Sequence, residues 1–135
     1  MFHTTSPRTD DTGIENLIQI KGKTAPRVTP ADLEAAILSE HFFTAAQGVA
    51  GRNVCADDKD ELAGLSNAAP ETAPLFLLTF CVLILKNGFT VTGESACASP
   101  ENFDKEIGRR VARENAKQKL WPLLGYELKT KLASI

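Results

Sequence analysis

The chain has 135 residues, of which 43% are hydrophobic and 24% charged, a composition typical of one soluble domain that is large enough to bury a core. Its formal net charge of -2 gives no overall attraction to nucleic acid or to acidic membranes. The charge is uneven, because Lys and Arg are in excess over residues 101–135 and Asp and Glu over residues 1–100.

The beginning of the chain is predicted to be a flexible arm over residues 1–28. Residues 1–13 are polar and turn-rich, and residues 21–28 have the composition of a linker. Between them, the scattered apolar residues of 14–20 fit a short helix or a strand. No basic segment followed by an apolar one occurs there, so no signal peptide is predicted. The apolar run 75–85 is shorter than the roughly 20 residues that a helix needs to cross a bilayer. We therefore expect no membrane partner. The odd number of cysteines, three, fits reduced thiols in a cytoplasm.

The first helix is predicted from Thr29 to about Phe43. Thr29 is a favourable N-cap, Pro30 suits the first helical position, and acidic residues follow in the first turn. Apolar residues then recur at helical spacing. Residues 44–51 have the pattern of a helix end followed by a flexible turn. Residues 52–73 are acidic and rich in Ala and Pro, which predicts a mobile surface loop.

A β-hairpin is predicted around Asn87-Gly88, with strands at about 75–86 and 89–95. Asn-Gly is preferred in a two-residue type I′ turn, because both positions need a positive φ. The second strand alternates between apolar and polar residues, which is typical of a strand buried on one face. The first strand is apolar on both faces, so each of its two faces is expected to be covered by another part of the protein. A second subunit could cover one of these faces, so we expect a homo-oligomer that buries part of this strand or of the segment 121–132.

A long C-terminal helix is predicted from about residue 100 to 121, continuing to about 133, with Pro122 either kinking it or starting a new helix. Ser99 is its expected N-cap, with Pro100 at the first helical position. A kink would arise because a proline inside a helix removes a hydrogen bond. An apolar stripe along this helix is expected to lie on the hairpin. That stripe consists of Phe103, Ile107, Val111, Ala112, Ala116 and Leu120.

These elements predict an α+β fold with a single domain over residues 29–135. The domain would contain an N-terminal helix, the hairpin and the long C-terminal helix. An organised loop would join the second strand to that helix.

Several short motifs mark the second half of the chain. They are Asn87-Gly88-Phe89, Gly93-Glu94-Ser95-Ala96, Pro100-Glu101-Asn102-Phe103-Asp104, Glu106-Ile107-Gly108, Ala112-Arg113-Glu114-Asn115-Ala116, Lys119-Leu120-Trp121 and Gly125-Tyr126. In these motifs, and in the segment 29–51, the chain resembles a family of small phage and prophage proteins. The family is known by gene-product numbers, forty-nine in one phage and sixty-six in another. Pro122 departs from its pattern of a continuous C-terminal helix. The resemblance implies a phage or prophage origin and the cytoplasm of a bacterial host, and it implies no activity.

The loop 93–102 is the first candidate binding site. It leads from a strand to the N-terminus of a helix, where free backbone N–H groups often bind anions. Glu94, Ser95, Ser99 and Asn102 are the side chains that would bind a ligand there. The alternative is a structural role, because serine is a common N-cap and the loop lacks a phosphate-binding glycine motif.

A row of cations along the C-terminal helix, the basic ridge, is the second candidate. Lys105, Arg109, Arg113 and Lys117 recur every four residues, and such a row could contact phosphates. Only Lys105 and Arg109 are near enough to the helix N-terminus to reach an anion held by the loop. The alternative is a solvated helix face with ion pairs between neighbouring turns.

No catalytic or metal-binding set is predicted. Glu94, Ser95 and Cys97 are close in sequence, but a nucleophile also needs a base and a group that orients the base. His41 would serve as that base only if the first helix packed beside the hairpin. Three cysteines without a Cys-x-x-Cys pair and two distant histidines give no zinc pattern. We therefore predict a protein that is not an enzyme and has no cofactor.

The leading hypothesis is a small non-enzymatic accessory protein that binds a macromolecule of the host or of the phage. A protein partner is expected rather than nucleic acid. The alternative is a protein that binds a phosphate-bearing ligand or nucleotide and thereby sequesters a signal of host defence. Convergence of the loop 93–102 and the basic ridge on one pocket would favour the small ligand, whereas an exposed apolar surface would favour a protein.

Overall fold

An antiparallel sheet of three strands, with a helix across one face, organises the fold. The computed structural model describes residues 11–55 and 73–134. Its elements are α1 (Asp11–Ile20), α2 (Pro30–Ala36), β1 (Ile37–Thr44), α3 (Ala45–Cys55), β2 (Leu78–Leu85), β3 (Thr90–Ala96), α4 (Lys105–Gln118) and α5 (Leu120–Ala133). The strand order is β1-β2-β3 and both pairs are antiparallel. The predicted α+β fold, with its hairpin and its long bent C-terminal helix, is confirmed.

The predicted first helix is part helix and part strand. It begins with a capping box, in which the Asp32 N–H donates to Thr29 Oγ1 at 3.1 Å and the Thr29 N–H donates to the Asp32 carboxylate at 2.9 Å. It ends at Ala36, however, and Ile37–Thr44 pairs with β2 as β1. The prediction of helix as far as Phe43 is therefore wrong. β-branched and aromatic residues are frequent in β1, and pairing with β2 outweighs a weak helical periodicity.

Helix α3 occupies the segment that was expected to be a helix end and a flexible turn. The Gln47 N–H donates to Thr44 Oγ1 at 3.1 Å, and the Thr44 N–H donates to Gln47 Oε1 at 2.9 Å. This is a second capping box, and its Thr-x-x-Gln signal is present in the sequence. The turn predicted over residues 44–51 is therefore wrong. The mobile loop predicted over residues 52–73 lies for the greater part outside the described residues.

The arm predicted over residues 1–28 contains helix α1. Arg27 forms an ion pair with Glu15 at 2.7 Å, and Gln118 Nε2 on α4 donates a hydrogen bond to Asp11 at 2.9 Å. The residues before Asp11 lie outside the described ranges. The flexibility of the arm stays a prediction.

The hairpin is confirmed, but its turn is not of type I′. The Gly88 N–H donates to the Leu85 carbonyl and the Leu85 N–H donates to the Phe89 carbonyl, both at 2.8 Å. Gly88 has φ +89°, whereas Asn87 has no positive φ. This geometry is a three-residue loop, in which a turn is followed by a glycine in the left-handed region. Asn87 stabilises it differently from what was expected, because its Oδ1 accepts a hydrogen bond from the Phe89 N–H at 2.9 Å.

Replacing Gly88 with valine should lower the free energy of unfolding by about 1 kcal/mol or more. A β-branched residue strongly resists the positive φ that this position adopts. Thermal or urea denaturation of the variant measures the loss. An unchanged midpoint would show that the loop does not require this conformation in solution.

Helix α4 packs on the sheet through a strip of small residues. Gly108, Ala112 and Ala116 are buried against the sheet. Gly93 on β3 lies directly beneath them, since a Cβ atom placed on it would be 2.2 Å from the Ala116 nitrogen and 2.3 Å from the Ala112 oxygen. The helix and the strand are therefore in direct backbone contact.

The start and the rotation of α4 differ from the prediction. Its N-cap is Asp104, whose carboxylate accepts a hydrogen bond from the Ile107 N–H at 2.9 Å. Ser99, the expected N-cap, instead precedes a short 3-10 turn over Pro100–Asn102 and makes no side-chain capping bond. The small-residue strip turns Ile107 towards solvent, where it is 46% exposed. The expectation that Ile107 packs on the hairpin is therefore wrong.

Candidate functional site

The loop 93–102 is held by hydrogen bonds within the loop and by one to α4. Ser95 is fully buried. The Ser99 carbonyl accepts hydrogen bonds from Cys97 Sγ at 3.1 Å and from the Asn102 N–H at 3.0 Å. Glu94 is exposed, and its backbone carbonyl accepts a hydrogen bond from Asn115 Nδ2 of α4 at 2.9 Å. A ligand at this loop could reach Glu94 and Asn102, whereas Ser95 would require α4 to move.

Two members of the basic ridge join α4 to other elements. Arg113 donates two hydrogen bonds to the Glu34 carboxylate of α2, at 2.9 and 3.1 Å, and a further one to Glu40 of β1. Lys117 pairs with the same Glu34 at 3.0 Å. Hydrogen bonding by Arg113 lowers the pKa of Glu34 to about 2, and Glu34 in turn raises the pKa of Arg113. Arg113 and Lys117 thus hold α2 and β1 against α4.

This cluster should make the fold sensitive to acid. The folded-state pKa of Glu34 is about 2 against an ordinary 4.5, so its stabilisation is present above pH 4.5 and is lost as the pH falls towards 2. The pair is partly exposed and screened, so we expect it to contribute less than about 1 kcal/mol to the free energy of unfolding. Glu34→Gln should therefore approach the wild type in stability as the pH falls through this window. Urea denaturation between pH 6 and pH 2.5 measures the difference, with Glu101→Gln as the control at an exposed carboxylate. A constant difference would contradict the assignment.

The other ridge residues line an open groove between α4 and β1. The groove has a volume of about 470 Å³. Arg109 lies over the Phe42 ring, with its guanidinium carbon 5.5 Å from the ring centroid, which is a cation–π contact. We call this feature the basic groove. Its lining residues are Glu40, Phe42, Lys105, Glu106, Arg109, Arg110 and Arg113.

The basic groove contains only part of the predicted site. Lys105 and Arg109 line it, whereas Glu94, Ser95, Ser99 and Asn102 do not. The loop 93–102 and the basic ridge therefore do not converge on one pocket. Glu40 and Phe42 were missed, because this stretch was interpreted as helix. The aromatic and β-branched residues around them were the available signal for a strand.

Strand β1 also brings together a serine and a histidine, which the predicted helix would have kept apart. Ser39 Oγ and His41 Nε2 are 3.1 Å apart, since residues two apart on a strand share a face. Within the described ranges the histidine ring has no other hydrogen bond, so no carboxylate orients it. Nor do His, Cys, Asp and Glu residues form a group of three that could hold a metal in the described part of the chain. Among the described helices, none is both long and apolar enough to cross a membrane.

Comparison with known proteins gives one family. A family model matches residues 28–132 of the chain, and it describes the phage protein (N4 Gp49/phage Sf6 gene 66) family. The match spans every element from α2 to the greater part of α5. Searches of curated proteins and of solved structures found no significant match.

Proposed function

The chain belongs to the phage protein (N4 Gp49/phage Sf6 gene 66) family, and we propose that it is a non-enzymatic accessory protein that binds a protein of the host or of the phage. The basic groove carries this proposal. It presents an aromatic ring, several cations and a strand edge on one open surface. Aromatic and arginine side chains of this kind are typical of sites that bind a protein partner. The host cytoplasm is the setting in which a phage accessory protein would meet such a partner.

The shape of the site favours a protein over a small ligand. The groove is open along the helix, and the loop 93–102 contributes none of its lining residues. A nucleotide site would more often enclose its ligand and surround the phosphates with backbone N–H groups. Apolar surface is also available nearby, because Leu38 is 64% exposed at the start of β1.

Affinity capture tests the proposal. A tagged chain is expressed in infected bacteria, cross-linked and purified, and bound proteins and nucleotides are both identified by mass spectrometry. We expect a protein to be enriched with the wild type and with Lys129→Glu, a charge reversal on α5 outside the basic groove. The double variant Lys105→Glu/Arg109→Glu should lose it. Recovery of a nucleotide without any specific protein would overturn the proposal.

A phosphate-bearing ligand remains the competing occupant, because the basic groove combines Lys105, Arg109 and Arg110 with the Phe42 ring. Calorimetry against a panel of linear and cyclic nucleotides tests it. Under this alternative Arg109→Ala would abolish binding. Lys117→Ala would leave binding almost unchanged, since Lys117 is engaged with Glu34. If the wild type binds none of the panel, the alternative is rejected.

We also expect the chain to form a dimer or a larger homo-oligomer. α4 covers one face of β2, whereas Phe80, Val82 and Ile84 are only half-buried on the other face. Phe43 extends this apolar surface by stacking on Phe80, with the ring centroids 5.5 Å apart. A second subunit would remove this surface from water. Light scattering at micromolar concentration measures the mass, and a monomer would contradict the prediction.

A further inference from the structure

Among the described residues, nothing pairs with the outer backbone edge of strand β1. Each residue of a strand directs its N–H and C=O to the same side, and the side alternates along the chain. The Cys97 N–H donates to Leu77 and the Leu85 N–H to Phe89, so the odd-numbered residues of β2 bond to β3. The even-numbered residues therefore bond to β1, where they face Ser39, His41 and Phe43. Glu40 and Phe42 consequently point their backbone groups outward from the sheet.

The opposite edge of the sheet is partly closed. By the same alternation, Thr90, Thr92 and Glu94 of β3 point their backbone groups outward. The Glu94 carbonyl is already bonded to Asn115 of α4 at 2.9 Å. A side chain that occupies an outward carbonyl hinders a further strand from pairing there. Glu40 and Phe42 have no comparable bond to their outward groups within the described residues, so β1 is the available edge.

The charge next to that edge selects the kind of strand that would fit. The Glu40 and Phe42 side chains lie on the α4 side of the sheet and form one wall of the basic groove. Lys105, Arg109 and Arg110 form the other, and none of the three makes an ion pair in the described structure. Glu40 is bonded to Arg113, so among the described lining residues Glu106 is the one carboxylate without such a bond. The surplus charge beside the open edge is positive.

We propose that β1 and the basic groove bind an extended acidic segment of a partner protein, which adds to the sheet as a fourth strand. Such a strand would lie about 4.8 Å beyond β1. Its backbone would bond to the outward groups of Glu40 and Phe42. Every second side chain would point towards α4, where Lys105, Arg109 and Arg110 attract carboxylates. The residues between them would face away from α4 and need not be charged. This inference rests on the proposed function, because it names the chemistry of the protein that is bound.

The test uses a fluorescent octapeptide in which Glu alternates with Thr, and anisotropy measures its binding to the full chain. The double variant Lys105→Glu/Arg109→Glu should weaken binding at least about tenfold, whereas Lys129→Glu should leave it unchanged. Binding should also weaken as salt is added. A peptide of the same composition with its four Glu residues in one block should bind less well, because only alternation places all of them on one face.

Hydrogen exchange identifies the edge that is used. The peptide should slow exchange of the Glu40 and Phe42 amides and leave those of Thr90 and Thr92 unchanged. Methylation of the peptide nitrogens that face β1 should abolish binding, whereas methylation of the alternate nitrogens should not.

The inference is overturned if the alternating peptide does not bind at millimolar concentration, if protection appears on β3 instead, or if binding survives both methylation patterns. A partner captured from infected cells that still binds the double variant would also overturn it. In that case the proposed function would stand with a different surface.

Discussion

Replacing Gly93 with alanine should lower the free energy of unfolding by about 3 kcal/mol or more. The added methyl would lie 2.2 Å from the Ala116 nitrogen and 2.3 Å from the Ala112 oxygen. Both are backbone atoms of α4, so no rotamer change can relieve the overlap. The helix would have to move away from the sheet, and overpacking of this kind is at the upper end of its usual cost. Urea denaturation followed by circular dichroism measures the change.

Gly125→Ala is the matched control for this substitution. Gly125 lies within α5, and a Cβ placed on it would meet no atom of the described residues within 4 Å apart from the backbone of its own helix. Alanine there should be neutral or should stabilise the helix by up to about 1 kcal/mol. If Gly93→Ala expresses only as unfolded protein while Gly125→Ala folds, the close approach is supported. Equal stabilities would show that α4 does not rest on β3 as described.

Leu83→Ala should destabilise the protein by about 2 to 5 kcal/mol. Leu83 is fully buried in β2 beneath α4, next to Cys81, whose pKa is raised to about 11 mainly by its own burial. Removing a leucine side chain from such a site loses the transfer free energy and leaves a cavity. A loss below about 1 kcal/mol, measured by urea denaturation, would contradict the placement of this residue in the core.

Ile84→Ala provides a comparison one residue further along the same strand. Ile84 points to the opposite face and is only half-buried, so its truncation should cost roughly half as much. Its cost should rise towards that of Leu83→Ala if a second subunit covers this face. Measuring both variants at two protein concentrations therefore tests the expected oligomer as well as the core.

Local chemical signals determined much of the architecture. The capping residues of α2, the Asn-Gly pair of the hairpin, the alternation of β3 and the proline of the bent C-terminal helix act within a few residues. Their effects can therefore be predicted from the sequence. The turn type could not be predicted in the same way, because Asn-Gly suits both a two-residue loop and the three-residue loop that the chain adopts. Gly88 takes the positive φ in either case.

Strand β1 cannot be predicted from local sequence signals. Its residues have a helix-compatible spacing after a good N-cap, and only pairing with β2, about forty residues later in the chain, makes them extended. Because this stretch was predicted as helix, Glu40 and Phe42, which form one wall of the basic groove, were not predicted as site residues. The Ser39–His41 pair was not predicted either, because residues two apart point in different directions on a helix and share a face on a strand.

The row of cations on α4 was determined by the sequence alone, and so were the small residues beside it. The tertiary structure decided what each cation does. Arg113 is bonded to Glu34, 79 residues away, whereas Arg109, one turn earlier, lies over an aromatic ring and has no carboxylate partner among the described residues. Residue spacing places side chains on a helix face but does not specify which distant element faces them. That choice follows from the backbone contact at Gly93, which sets the position of α4 on the sheet and leaves β1 beside an open, positively charged groove.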